Sequence, residues 1–169
     1  MLLTPFDEFP DSARVWVYGV DRDMAKRSQS VLLDEVDNYL TQWTAHGEPL
    51  SAARDWRDDH FLTIAVDQEH AGASGCSIDE LFRTLKAVEG KLGAAIVTSG
   101  LIFFRDKDRH IRSVTRDEFS ELGAAGEVSG DTEVFDPSVT TLGEWRSRFA
   151  SRAADSWHAS LLPPARRVT

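Results

Sequence analysis

Two amphipathic helices separated by a pair of strands constrain the fold of this chain more than any other feature of its sequence. Apolar residues recur with helical spacing over 24–43 and again over 78–92, so each segment would turn one side toward a core. Between them, 50–57 and 60–67 are typical of strands joined by a tight polar turn at 58–59. A helix, a hairpin and a second helix in this order predict a sheet that both helices cover.

Further strands are predicted before and after this unit. β-branched and aromatic residues dominate 13–20 and 101–105, and the second of these turns through 106–108 into a partner at 109–114. Strand, helix, strand, strand, helix, strand, with one added strand, is the order of a ferredoxin-like split βαβ sandwich. We therefore predict an α+β fold with a ferredoxin-like core.

The rest of the chain is predicted to add a small α/β extension. Capping-box patterns at 115–118 and 141–144 predict two short helices, and 132–135 predicts a short strand between them. Elements this short need a larger surface on which to pack. The predicted divisions are the core at 1–115, the C-terminal extension at 116–160 and a frayed tail at 161–169.

Composition and charge exclude several functional classes. The 169 residues include 28 Asp and Glu against 19 Lys and Arg, a formal charge of −9 that disfavours nucleic acid as a partner. A single cysteine cannot form an internal disulfide, which favours a reducing compartment. The sequence begins without a basic region and has no run approaching about 18 apolar residues, so we expect no signal peptide, no membrane span and a cytoplasmic location.

The directions of the elements in a split βαβ unit predict where a site would lie. If the first strand runs up, the first helix ends and the second helix begins at the same lower edge of the sheet. That edge would collect Trp43 and His46 from the end of the first helix. It would also hold Arg14 from the start of the first strand, Asp67 from the end of the hairpin, and the loop 68–77.

The only cysteine suggests a nucleophile at this edge. Cys76 directly precedes Ser77, which a capping-box pattern predicts to be the cap of the second helix, so the helix dipole would favour its thiolate. His46 could act as the base, and Asp79 or Asp67 could orient its imidazole, as in a Cys/His pair for nucleophilic catalysis. The alternative is a buried cysteine in an ordinary helix-entry turn, since the spacing is not diagnostic of catalysis.

A non-catalytic role is also open for the same edge. The small residues before the second helix, among them Ser74 and Gly75, would expose its N–H donors to a carboxylate or phosphate, with Ser77 beside them and Arg14 within reach. The glycines match neither G-x-x-x-x-G-K-[ST] nor G-x-G-x-x-G, so the sequence has no machinery for ATP hydrolysis. The five histidines are dispersed, and no metal ion or other cofactor is predicted.

Tryptophan residues suggest a further set of contacts. Trp43 lies on the apolar stripe of the first helix, whereas Trp16 and Trp56 on predicted strands could present a face to a ligand or partner. In the tail, the segment 155–158 could latch the C-terminal part onto the domain and place His158 at the rim of the site. The simpler role of such tryptophans is to anchor the packing.

Four segments of the chain resemble a known family: 12–16, 42–47, 73–79 and 155–158. They are similar to a family of short, uncharacterised bacterial proteins, common among the Bacteroidetes, that often carry the label "ABC transporter ATPase". The resemblance spans 12–158. Because the chain has no Walker A, Walker B or signature element, we take that label to be a propagated error, and the resemblance implies relatives rather than an activity.

These patterns predict a cytoplasmic bacterial binding or accessory protein with an anion or carboxylate site at the start of the second helix. One alternative is a thiol enzyme that uses Cys76 with His46. Another is a protein-interaction module that uses a sheet edge or an exposed tryptophan, either as a homodimer or with another protein. The candidate ligand-binding residues are Arg14, Trp43, Ser74, Gly75, Ser77 and His158, and the candidate catalytic residues are Cys76, His46 and Asp79.

Overall fold

Helices and strands alternate along most of the chain. The computed structural model describes residues 5–45, 47–67, 75–96 and 100–164, with the backbone alone at Ala45 and Cys76. The helices in these ranges are α1 (Lys26–Gln42), α2 (Gly75–Leu92), α3 (Arg116–Ala124) and α4 (Leu142–Arg148). The strands are β1 (Arg14–Gly19), β2 (Thr44–Ala45), β3 (Glu48–Pro49), β4 (Ser51–Arg57), β5 (Phe61–Asp67), β6 (Ile102–Arg105), β7 (Ile111–Val114), β8 (Glu133–Phe135) and β9 (Ala150–Arg152). Short 3₁₀ helices lie at Phe6–Glu8, Ala153–Asp155 and Trp157–Leu161. None of the helices in the described ranges is long and apolar enough to cross a membrane.

The chain divides into two compact units, and each contains two stretches of sequence. The first unit comprises Met1–Thr98 and Pro137–Ser147, and the second comprises Ser99–Asp136 and Arg148–Thr169. This division differs from the expected break at residue 115. The reason is that the chain leaves the first unit before β6 and later re-enters it, because the backbone around Thr140 pairs with β1.

The first unit is a sheet with two helices on one face. Within the described residues, β1, β5 and β4 form an antiparallel three-stranded sheet in that order. The central strand β5 is buried throughout 61–66, as expected for a strand flanked on both edges. Alternate β5 residues, Leu62, Ile64 and Val66, join α1 and α2 in one apolar core, which confirms both amphipathic helices. The buried helical members of this core are Leu32, Val36, Leu40, Leu81, Leu85, Val88 and Leu92.

The turn between β4 and β5 confirms the expected hairpin. Asp58 and Asp59 have φ angles of 54° and 57°, in the left-handed region. Aspartate tolerates this region better than most residues because its short side chain can hydrogen-bond locally. The His60 N–H donates to the Arg57 carbonyl at 3.0 Å and closes the turn. Local turn chemistry therefore fixes the register of the two strands.

The α+β class is confirmed, but the complete ferredoxin-like order is not. The fourth strand of such a sheet should be the one after α2, yet β6 pairs with β7 and β8 in a separate sheet. At β1, the Val15 N–H instead donates to the Thr140 carbonyl at 3.0 Å, and Arg14 forms an isolated antiparallel bridge with Thr141. The physical reason lies in β6, whose adjacent residues Phe103 and Phe104 point to opposite faces and are both buried, so that both faces of the strand need an apolar cover.

The second unit is a separate sheet with its own core. Within the described residues its strands follow the order β7-β6-β8-β9, and all pairs are antiparallel. Phe119 of α3 is fully buried against Phe104 of β6, with ring centroids 5.6 Å apart. The Thr115 hydroxyl accepts a hydrogen bond from the Glu118 N–H at 3.1 Å, which confirms the capping box that starts α3.

Candidate functional site

The end of α1 and the beginning of α2 meet, as the directions of the elements predict. Trp43 directly follows α1 and is 3% exposed. Its indole N–H donates to the carbonyl oxygen of Ser77 in the first turn of α2 at 3.1 Å. Its ring also contacts that of Tyr39, with centroids 5.9 Å apart. The tryptophan is therefore a core residue that joins two helix ends, rather than an exposed one.

The start of α2 differs from the expected position. The capping pattern predicts Ser77 as the cap, but the helix begins at Gly75. Ser77 is 3% exposed, and its carbonyl accepts the indole N–H of Trp43, so it is packed inside the first turn. Cys76 thus becomes the second residue of the helix instead of preceding it. Packing against α1 outweighs the local capping preference.

Arg14 lies at the same end of the sheet. It is the first residue of β1 and pairs with Val66, next to the end of β5 at Asp67. Its guanidinium is 5.3 Å from the ring of Trp16, which packs against the helix-side core. Because residues two apart on a strand share a face, Arg14 lies on the face that α1 and α2 cover. We call Arg14, Trp43, Asp67 and Ser77 the α2 rim.

Several candidate residues fall outside the described part of the structure. His46, Ser74 and the loop 68–74 lie outside the described residues, and for Cys76 only the helical backbone is described. Asp79 is described, and it is an exposed residue of the first turns of α2. Of the rim residues, Trp43 and Ser77 are in contact, and Arg14 and Asp67 share the adjoining end of the sheet. The Cys/His pair stays a prediction.

Charges of both signs surround the α2 rim. Burial raises the pKa of the Tyr39 hydroxyl to about 12, with nearby Glu80 adding to the shift and Arg83 opposing it. That hydroxyl is enclosed and has no hydrogen-bond partner among the described residues. The acidic side chains reduce the attraction of the rim for an anion. An anion at this rim would therefore depend on short-range donors rather than on the charge of the whole surface.

His158 does not lie at a rim, which corrects the expectation for the 155–158 segment. It is fully buried in the second unit, and its Nδ1 is 2.8 Å from the Ser156 hydroxyl. Its ring stacks on that of Trp157 with centroids 3.9 Å apart. Burial lowers the pKa of His158 to about 4, with Asp136 opposing the shift and Arg116 adding to it. An imidazole that is enclosed and neutral at physiological pH packs the second core and offers no surface to a ligand.

The other tryptophans on strands are also packing residues. Trp16 and Trp56 are partly buried against the helix-side core of the first unit. The Trp56 indole N–H donates to the Gln29 side-chain oxygen at 3.0 Å, and the Gln29 amide donates in turn to the Met24 carbonyl at 2.9 Å. These rings therefore link the sheet to the beginning of α1. Neither supports the expectation of a free aromatic face on the strands.

One polar pair was missed at the level of sequence. Thr63 of β5 is fully buried, and its hydroxyl has no hydrogen-bond partner among the described residues. Its direct neighbour on β4 is Asp55, a partly buried carboxylate. The signal that could have found this pair is a single threonine inside the apolar segment 61–66, opposite an acid on the hairpin strand.

Across the described ranges, no group of three or more His, Cys, Asp and Glu side chains is arranged to hold a metal ion. The described groups at the α2 rim are backbone N–H donors, the Arg14 guanidinium and the Asp67 carboxylate. No family model, curated protein or solved structure matches this chain.

Proposed function

We propose that this chain is a cytoplasmic bacterial binding or accessory protein whose ligand presents a carboxylate or phosphate to the start of α2. The observation that supports this most directly is the hydrogen bond from the indole of Trp43 to the carbonyl of Ser77 at 3.1 Å. This bond is buried and holds the first turn of α2 against the end of α1. A ligand at the start of α2 would therefore meet N–H donors whose position is already fixed.

The backbone of α2 would supply the hydrogen-bond donors. The first four N–H groups of a helix have no partner within it, and the helix dipole adds about half a positive charge there. Gly75 is exposed, and among the described residues no atom lies within 4 Å of where its Cβ would be, so none of them obstructs the first turn. Arg14, exposed at the same end of the sheet, would add a guanidinium that can bind an anion with two N–H groups.

Thermal unfolding of the full chain tests this proposal. We expect sodium phosphate or sodium acetate to raise the melting temperature more than sodium chloride of equal ionic strength. Arg14→Ala should abolish the difference. Arg27→Ala is the matched control, because Arg27 is an exposed arginine at the other end of α1. Equal melting temperatures in all three salts, or an unchanged response in Arg14→Ala, would rule out the anion site.

Asp79 distinguishes anion binding from thiol chemistry at the same place. As an exposed carboxylate near the positive end of α2, Asp79 competes with a bound anion for the same helix dipole. The variant Asp79→Asn should therefore strengthen phosphate binding. In a thiol enzyme the same variant would weaken the reaction, because Asp79 would orient the catalytic imidazole.

A thiol enzyme is the second candidate, and the helical position of Cys76 favours it. As the second residue of an 18-residue helix, Cys76 lies where the dipole stabilises a thiolate. We expect the rate at which iodoacetamide alkylates Cys76, measured against pH, to give a thiol pKa below the ordinary ~8.5. The variant His46→Ala should slow this alkylation near neutral pH. An alkylation rate that rises only above the ordinary thiol pKa would exclude the enzyme.

The proposal extends to the fold of the first unit. Its elements β1, α1, β4, β5 and α2 have the order and directions of the first five elements of a ferredoxin-like unit. We propose that the unit is a ferredoxin-like variant in which the bridge at Thr141 stands in place of the fourth strand. We also propose that the chain is related to the uncharacterised bacterial family that its motifs resemble.

A further inference from the structure

The face of the first sheet opposite α1 and α2 carries two adjacent polar groups without hydrogen bonds. Thr63 on the central strand β5 is fully buried, and its hydroxyl has no partner among the described residues. Asp55 is its direct cross-strand neighbour on β4, so both side chains lie on the same face. Leu62 and Ile64 belong to the helix-side core, which places Thr63 on the other face.

Asp55 is a partly buried carboxylate that forms no ion pair with any described residue. Within the described residues, no hydrogen bond or ion pair engages its side chain. Burial raises its pKa, as do Asp7 and Asp58, whereas the charges of Arg57 and Arg54 lower it. Both arginines form their ion pairs with other carboxylates. Arg54 forms a bidentate pair with Asp37 at 2.8 and 3.0 Å. Arg57 binds Asp58 at 3.2 Å and lies over the ring of Trp145 at 5.7 Å.

Buried polar groups in folded proteins nearly always have partners, and each exception calls for an explanation. A single group that satisfies both Asp55 and Thr63 must donate at least two hydrogen bonds, one to a carboxylate and one to a hydroxyl oxygen. It must also be positively charged if the partly buried carboxylate is to remain ionised once the bound group covers it. A primary ammonium meets all three requirements, because it has three donors and one compact charge.

We propose that Asp55 and Thr63 form a binding site for a primary ammonium group. Asp55 supplies the charge and reaches solvent, since it is only partly buried. Thr63 supplies a hydroxyl acceptor beneath it. The ammonium can belong to a lysine side chain of a protein partner or to a small free amine. This inference is independent of the anion site, because Asp55 and Thr63 lie on the sheet face opposite Arg14 and the two helices.

Nuclear magnetic resonance of the full chain tests the ammonium site. The signals are the methyl group of Thr63 and the carboxyl carbon of Asp55, followed during titration with n-butylammonium chloride. We expect both signals to shift and saturate together. Tetramethylammonium chloride at equal ionic strength is the control, because it has the same charge but no N–H donor and should leave both signals unchanged. Equal shifts with the two salts, or with potassium chloride, would overturn the proposal.

Conservative variants assign the binding to the two side chains. Asp55→Asn should abolish the saturable shift, whereas Asp34→Asn on the exposed face of α1 makes the same change in net charge and should leave it intact. Thr63→Val should weaken binding about fivefold, and Thr63→Ser should retain it, because only the second keeps the hydroxyl. Unchanged binding in Asp55→Asn would refute the site. The comparison of salts on the unmodified chain remains decisive if a variant does not fold.

A lysine derivative distinguishes the two sources of the ammonium. Nα-acetyl-lysine methylamide carries the same amine as n-butylammonium together with a stretch of peptide backbone. Tighter binding of this compound supports a lysine of a protein partner. Weaker binding supports a small free amine, because the added backbone would then only obstruct the site.

Discussion

Trp43 is the side chain on which the proposed anion site depends most. Its hydrogen bond to the Ser77 carbonyl is buried. If the indole were removed, water could not readily replace that bond. In the second unit, the polar ring of His158 is likewise enclosed, with the rings of Phe119 and Trp157 beside it. At the scale of residues, the indole N–H of Trp43 thus connects two helices, whereas the hydrogen bond of His158 to Ser156 stays within one segment.

The variant Trp43→Phe should lower the free energy of unfolding by about 2 kcal/mol, because it removes a buried hydrogen bond between two helices and part of a buried ring. Urea denaturation measures this loss. The matched control is Trp56→Phe, which also removes an indole hydrogen bond in the first unit, that to Gln29. We expect both variants to be destabilised, but only Trp43→Phe to lose phosphate binding. Loss of binding in both would mean that the site depends on overall stability rather than on the indole.

His158 predicts how stability depends on pH. Its pKa is about 4 in the folded chain against an ordinary value of 6.5, and it is fully buried. Below pH 6.5 the unfolded chain binds a proton that the folded chain does not, so stability falls as pH decreases from 6.5 to about 4. The total loss from this group is about 3 kcal/mol. It is complete below the folded pKa.

Urea denaturation across this pH range, in the full chain and in His158→Gln, measures the contribution. The variant retains a polar side chain but cannot bind the proton, so its stability should vary less between pH 6.5 and about 4. Carboxylates also titrate toward the acid end, and they do so equally in both proteins. Identical slopes in the two proteins would show that His158 does not control the acid sensitivity.

At the scale of elements, short capped helices start where local chemistry requires. α3 begins after Thr115, whose hydroxyl accepts from the Glu118 N–H and donates to the Glu118 carboxylate, both at 3.1 Å. α4 begins after Thr141, whose hydroxyl accepts from the Glu144 N–H at 3.2 Å. α2 shows the opposite case, since its first turn extends beyond the local cap. The start of α4 is packed as well, since Leu142 is fully buried and its N–H donates to the Ala13 carbonyl at 2.9 Å. A cap can therefore act alone or together with packing.

The cap of α3 gives a direct test of this balance. Thr115→Ala should lower the free energy of unfolding by about 1 kcal/mol, because one N–H at the helix start loses its acceptor. Thr115→Ser retains the hydroxyl and should cost less. Urea denaturation followed by circular dichroism checks the order of the three proteins. If the alanine and serine variants were equally stable, the cap would not contribute to stability.

At the scale of the whole molecule, charge limits the range of partners. The formal charge of −9 opposes association with phosphate backbones at long range. Many of the arginines in the described ranges are also committed to internal partners, such as Arg146, which binds Asp11 at 2.6 Å and the Phe9 carbonyl at 2.9 Å. A small anion held by short-range donors is compatible with this charge, whereas a polyanion is not.

We accordingly expect no measurable affinity for duplex DNA at physiological salt. Fluorescence anisotropy of a labelled duplex, titrated with the full chain, measures this. A mixed sequence and an A-tract duplex should behave alike, because neither would bind. Binding that weakens steeply as salt increases would contradict the charge argument and would indicate a basic surface.

How much of the candidate site follows from the sequence differs between its parts. The meeting of α1 with α2 was predictable, because element directions in a βαββα unit follow from their order. The burial of Ser77 and the enclosure of His158 were not, since each depends on which large ring packs beside it. The orphan pair of Asp55 and Thr63 was visible only as an odd threonine in an apolar strand. The register of β4 against β5 places Asp55 beside that threonine, which is what suggests a site.

The sequence by itself determined the elements whose signals are local: the two helical stripes, the aspartate turn at 58–59 and the capping boxes of α3 and α4. Only the tertiary structure decided that β6 leaves the first sheet and that the chain returns to β1 at Thr140. Local signals depend on neighbours three or four positions away, which any reader of the sequence can count. Strand pairing depends on which distant segment best covers a buried face and completes the strand's hydrogen bonds. A local sequence pattern cannot show which of the distant segments does this best.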